Sequence, residues 1–98
     1  MIPKFSIITV TYNAEDSIEG TIQSVISQEF KNFEYIIIDG ASTDKTLAIL
    51  NKYDNDIDKV ISEKDHGLYH AMNKGIRAAK GEFLLFLNAG DRFVHATI

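Results

Sequence analysis

The sequence predicts an α/β protein in three layers, a mainly parallel sheet with helices on both faces. Three observations carry this. Short apolar, β-branched stretches alternate with stretches of helical periodicity, in the order β-α-β-α-β-α-β. The second and fourth strand candidates are almost continuously apolar, as strands buried on both faces are. Each strand candidate ends directly in a polar cluster: Thr11-Tyr12-Asn13, Asp39 to Ser42, Ser62 to His66, and Asn88 to Asp91.

Phe5 to Thr11 (Phe-Ser-Ile-Ile-Thr-Val-Thr) is rich in β-branched residues and reads as the first strand. Asn13 is placed to cap the first helix, with Asp16 completing a capping box, and the helix is expected to run to about Gln28. Ile18, Ile22, Val25 and Ile26 form its apolar stripe. Tyr35 to Ile38 is the second strand, and it stops on Asp39-Gly40. Helix two covers about Asp44 to Tyr53, with Leu47, Leu50 and Tyr53 one turn apart. Lys59 to Ser62 is a short third strand, followed by the charged loop Glu63 to Gly67. Helix three runs from about Leu68 to Lys80. Leu68, Met72, Ile76 and Ala79 share one face, while Ala71, Gly75 and Ala78 are small enough to let the helix approach a sheet closely. Tyr69 and Met72 are expected in the core, and Gly81 as the C-terminal cap. Glu82 to Leu87 is the fourth strand, expected to be buried.

Composition excludes several classes. Ninety-eight residues make one domain or part of one. Apolar content of 45% and charged content of 24% are those of an ordinary globular chain. A net charge of −4 and a pI of about 5.2 argue against a nucleic-acid partner. No cysteine is present, so thiolate chemistry and Cys-ligated zinc are absent. The longest apolar run, Phe83 to Leu87, is far short of a membrane span, and no secretory signal is visible, so a cytoplasmic location is expected.

In a parallel sheet the four polar clusters lie along one edge and line one crevice. It would offer carboxylates (Asp39, Asp91), amides (Asn13, Asn88) and hydroxyls (Thr11, Tyr12, Ser42). A carboxylate suits a base imide or a ribose, and a second one suits a hard divalent cation that keeps waters and shares phosphate oxygens. Together they describe a nucleoside diphosphate with a metal on its phosphates. Neither G-x-G-x-x-G nor a P-loop signature occurs. His66 and His70 stand four apart, but Gly67 occupies the place of the glutamate in H-E-x-x-H, so they read as loop and helix-start residues. His95 is assigned nothing. Lys74, Arg77 and Lys80 read as a solvated helix face.

Five blocks in order resemble family 2 glycosyltransferases, which have the Rossmann-like A-type glycosyltransferase fold: Ser6 to Asn13, Ser24 to Gln28, Ile37 to Thr46, Ser62 to Ile76 and Gly81 to Asp91. The chain is especially similar to the branch that builds bacterial exopolysaccharides such as colanic acid. The resemblance implies a nucleotide-diphospho-sugar donor, a divalent cation (Mn2+ or Mg2+), inversion at the anomeric carbon, and a glycan or lipid-linked acceptor. It implies a place at the cytoplasmic face of the inner membrane through peripheral association of the full-length enzyme. A sheet that stops at the fourth strand is expected to leave apolar surface of that strand uncovered, which favours self-association. Thr11, Tyr12 and Asn13 match the segment bordering the nucleotide, and Asn73 and Asn88 fall in the matching blocks as further donor-side residues. Asp39 matches the first acid of the usual Asp-Asp-Gly-Ser pattern, and the second, the usual base contact, is Gly40 here. Of the Asp-x-Asp-Asp metal motif only the last acid is present, as Asp91 in Asn88-Ala89-Gly90-Asp91. The family's catalytic base comes from a later segment, so residues 1–98 are expected to be the donor-binding part of the domain. A second reading is a non-enzymatic receiver-type signalling domain with Asp39 as phosphate acceptor. It requires an acidic pair after the first strand, where Thr11-Tyr12-Asn13 stands.

Overall fold

The structure, a computed structural model, describes residues 2–91. Its elements are β1 (Phe5–Thr11), α1 (Ile18–Ile26), β2 (Phe33–Asp39), α2 (Thr46–Lys52), β3 (Lys59–Ser62), α3 (Leu68–Ala78) and β4 (Phe83–Phe86). The strands form one sheet in the order β3-β2-β1-β4, with every pairing parallel. The alternation read from the sequence is therefore the alternation observed.

Strand alternation splits the core into two. One side of the sheet presents Ile7, Tyr35 and Ile37 to Ile18, Ile22 and Val25 of α1 and Leu50 of α2. The other presents Ile8, Ile36 and Ile38 to Ala71 of α3. Burial of each α1 anchor contributes about 1.5–3 kcal/mol, which is what holds that helix on the sheet. Polar groups inside the first core are paired. The Tyr35 hydroxyl and Thr9 Oγ1 lie 2.8 Å apart, and burial pushes the Tyr35 phenol up to about 12. On the second side α3 sits very close. A Cβ on Gly75 would come 2.6 Å from Ile8 Cγ2, so the small-residue face is the one that docks.

Several expectations are corrected. Helix α1 starts at Ile18, not near Asn13, and its N-cap Ser17 makes no side-chain cap bond. Asn13 is instead held at φ 46° in the preceding loop. Helix α3 buries Ala71, Lys74 and Gly75, while Leu68, Ile76 and Tyr69 are exposed. Tyr69 is 81% exposed, so it is not a core residue. Gly81 is not a helix cap: α3 ends at Ala78, and Gly81 packs against the Ser6 backbone. Strand β4 is an edge strand with Phe83, Leu84 and Phe86 exposed, rather than a buried one. An apolar run reports what a strand can bury, not whether a neighbour covers it. His95 lies outside the described residues.

Candidate functional site: a cleft at the reversal of strand order

Strands β1, β2 and β3 step outward in one direction, and β4 is added on the other side of β1. The order therefore reverses between β1 and β4, and a crevice opens there beyond the carboxyl ends of the strands. A cavity of about 410 Å³ occupies this place. Val10 and Thr11 line it from the end of β1, Tyr12 and Ala14 from the loop that follows, Asn88 and Ala89 from the segment after β4, Asp65 and Gly67 from the loop before α3, and Leu68 and Ala71 from the start of α3. The wall after β4 is held by a continuation of the ladder, in which the Leu87 amide donates to Ile8 O (2.9 Å) and the Ala89 amide to Val10 O (3.1 Å).

Two side-chain oxygens in this wall, Thr11 Oγ1 and Asn88 Oδ1, are buried and have no hydrogen-bond partner among the described residues. Buried polar atoms are nearly always paired, so two orphans on residues that line one cavity point to a polar occupant.

The loops after β1 and β2 are stitched together. The Asn13 amide donates to Ser42 Oγ (2.8 Å), and Asn13 Oδ1 accepts from the Thr43 amide (2.8 Å). The Ala14 amide donates to Thr46 Oγ1 (2.9 Å), and the Glu15 amide to Asp44 Oδ2 (3.2 Å). Ser42, Asp44 and Thr46 of the Ser-Thr-Asp-Lys-Thr run thus serve as acceptors for the neighbouring loop. Burial pushes the Asp44 carboxyl up, but bonds from Thr46 and the Glu15 amide outweigh it and hold the group below its ordinary range.

Asp39 anchors this seam. It is 0% exposed, and its carboxylate accepts from the Ser42 amide (2.9 Å), Ser42 Oγ (2.5 Å) and Ser62 Oγ (2.8 Å). Thr11, Asp39 and Ser62 are register partners, so one row across the sheet edge carries all three. The carboxylate expected to face a ligand is turned inward on its own loop.

Of the residues singled out from the sequence, Thr11, Tyr12 and Asn88 come together in the cleft. Asn13 and Asp39 lie in the bonded network beside it. Asn73 is exposed on α3 and does not line the cleft. Asp91 is exposed at the end of the β4 segment, where its Oδ2 accepts from the Asn88 amide (3.2 Å). Lys74 is a correction: it is buried, paired with Glu63 (3.2 Å) and donating to Lys64 O (3.1 Å), so it fastens the β3–α3 loop. The His66 amide donates to His70 Nδ1 (2.9 Å) and the two rings stack, an arrangement that closes the start of α3.

Two residues were missed. Thr21 of α1 is fully buried. Its hydroxyl donates to Asp91 O (2.7 Å) and accepts from the Gly90 amide (2.9 Å), fixing the turn that carries Asp91. The available signal was a hydroxyl residue on an apolar helical stripe. Asp65 lines the cleft, and nothing in its charged loop distinguished it from Glu63.

Among the described residues no three His, Cys, Asp or Glu side chains converge as a metal site. The single carboxylate of Asp91 fits a hard cation only where phosphate oxygens and water supply the other ligands.

A parallel sheet with helices on both faces and a polar cleft at the strand reversal is the frame of nucleotide-binding α/β folds at large, and comparison with solved structures places the chain among the A-type glycosyltransferases. Residues 1–349 of Staphylococcus aureus TarS, solved in complex with UDP-GlcNAc, superpose with a TM-score of 0.84 at 36% identity, over 91% of this chain and 27% of that one. A mannosyltransferase from Pyrobaculum calidifontis, solved with GDP-Man and Mn2+, gives a TM-score of 0.88 at 25% identity, over 98% of this chain and 30% of that one. The family model for glycosyl transferase family 2 matches residues 6–95, and the chain belongs to that family. Similar curated proteins include TuaG of Bacillus subtilis, named for teichuronic acid biosynthesis, 40% identical over 93% of this chain and 37% of its own length. A PGL/p-HBAD biosynthesis glycosyltransferase of Mycobacterium tuberculosis is 37% identical over 96% of this chain and 38% of its own length. The chain thus spans little more than a third of the relatives it matches.

Proposed function

We propose that this chain is the donor-binding part of an inverting glycosyltransferase for cell-surface polysaccharide, and that its cleft holds the nucleoside diphosphate of a nucleotide-sugar. The observation that carries the reading is that two residues lining the cavity at the strand reversal, Thr11 and Asn88, each hold a buried unpartnered side-chain oxygen. Asp39 acts as a positioning residue, since its bonds to Ser42 set the loop that places Asn13 and, next to it, Tyr12. Asp91 takes a divalent cation together with the diphosphate, and the cation stabilises the leaving group when bound. In transfer, an acceptor hydroxyl oxygen attacks the anomeric carbon, the bond to the diphosphate oxygen breaks, and the hydroxyl proton passes to a base on the opposite face. Acceptor binding, to a glycan or lipid-linked sugar, and that base are assigned to the length of the relatives that this chain does not span. A receiver-type role for Asp39 has no support, because a carboxylate shut in by three protein hydrogen bonds offers no oxygen to an acyl phosphate.

The test is calorimetry of the 98-residue chain with uridine, guanosine, cytidine and adenosine diphosphates in manganese. Saturable binding of at least one, weakened by Thr11→Val, is expected. No binding by any of the four would overturn the reading.

A further inference from the structure

We infer that Asp65 selects the nucleobase, admitting bases whose pairing edge carries a ring N–H. The inference rests on the donor-binding reading above and adds the residue and rule of selection. Tyr12, Gly40 and Asp65 converge on one spot at the rim of the cleft. A Cβ built on Gly40 would lie 3.0 Å from Asp65 Oδ2 and 3.3 Å from Tyr12 Cδ1. The missing side chain at position 40 is thus the space into which the Asp65 carboxylate leans.

Its two oxygens differ. Oδ1 accepts from the Gly67 amide at 3.3 Å, which fixes the side chain to its own loop. Oδ2 accepts no hydrogen bond among the described residues and stands at a cavity wall beside the exposed ring of Tyr12. An aromatic face next to a carboxylate oxygen is a fitting seat for a planar heterocycle that stacks on one and donates to the other. Thr11, 2% exposed with its Oγ1 unpartnered, lines the same cavity and marks it as a place for a polar ligand.

Selectivity follows from the edge of the base. Uracil N3 and guanine N1 each carry a hydrogen and can donate to Oδ2. Cytosine N3 and adenine N1 carry a lone pair at the matching position and would face the carboxylate with like charge density. A site built around an acceptor rejects the partner that lacks the donor.

The experiment measures Kd for the four nucleoside diphosphates with the 98-residue chain and three variants, each checked for an unchanged melting profile. In the parent chain uridine or guanosine diphosphate is expected to bind about tenfold or more tightly than cytidine and adenosine diphosphates. Asp65→Asn keeps an Oδ1 for the Gly67 amide but can turn its NH2 toward a ring lone pair, so the preference should shrink to about threefold or less. Asp65→Ala should lose it as well. Asp65→Ala combined with Gly40→Asp returns a carboxylate to the same spot from the β2 loop and should recover it. Nucleotide binding with a preference that neither single Asp65 variant changes would overturn this inference and leave the donor-binding reading standing. Absence of all nucleotide binding would overturn both.

Discussion

Asp39→Ala probes the seam that positions the cleft. The substitution removes a carboxylate that is 0% exposed and accepts three hydrogen bonds. Ser62 is exposed, so its hydroxyl can turn to water, whereas the Ser42 amide and hydroxyl stay in a buried pocket. Two stranded donors, each worth about 1.5–3 kcal/mol when bonded to a charge, less partial rescue by water, give a loss of about 3–4 kcal/mol. That is a large share of the ~5–15 kcal/mol available to a domain of this size. Asp39→Asn keeps the shape and one acceptor oxygen but points an NH2 at a donor, so it should cost less, about 1–2 kcal/mol. Urea unfolding followed by circular dichroism measures both. An Ala variant within about 1 kcal/mol of the parent, or an Asn variant less stable than Ala, would refute the reasoning.

Other perturbations read out other parts of the fold. Gly75→Ala should lose about 1–2 kcal/mol in the same assay, because overpacking against Ile8 outweighs the ~1 kcal/mol gained in helix propensity, and a more stable variant would contradict the close approach of α3. Bonds from Lys52 and Tyr53 hold the Glu19 carboxyl below the usual carboxylate range, and Asp44 is lowered as well. A lowered carboxyl lends stability that is complete above its unfolded pKa and lost as pH falls through its folded one. The melting temperature should therefore drop as the pH falls below the ordinary carboxylate range, less steeply in Glu19→Gln, and an identical slope would remove Glu19 from the account. Asp91→Asn should weaken manganese binding about tenfold or more in the presence of a nucleoside diphosphate and change little without it; tight binding to the nucleotide-free chain would oppose the shared-ligand mode.

The fold was largely legible. The first and third strands span the residues expected, because β-branched runs bounded by polar clusters have no competing helical period. The small-residue face of α3 was legible as a docking face, since Ala71 and Gly75 leave no other reason for close approach. Helix starts were less so. Asn13 has the chemistry of a cap, but its side chain is taken by the Thr43 amide, a partner 30 residues away that local pattern cannot reveal. The same non-local bonding hid the inward turn of Asp39, the burial of Lys74 and the grip of Thr21 on the Asp91 turn. The location of the cleft was readable from where the strands end; which side chains face it depended on tertiary hydrogen bonds.

Amide chemical shifts of the 15N-labelled chain, followed while uridine or guanosine diphosphate is added with magnesium, test the donor cleft most directly. The expected result is a saturable set of shifts centred on Thr11, Tyr12, Asp65, Gly67, Asn88 and Ala89, the residues that line the cavity between β1 and β4. Shifts gathered instead around Leu47, Asn51 and Val60, which line a separate hollow beside α2, would contradict it, as would no saturable change anywhere.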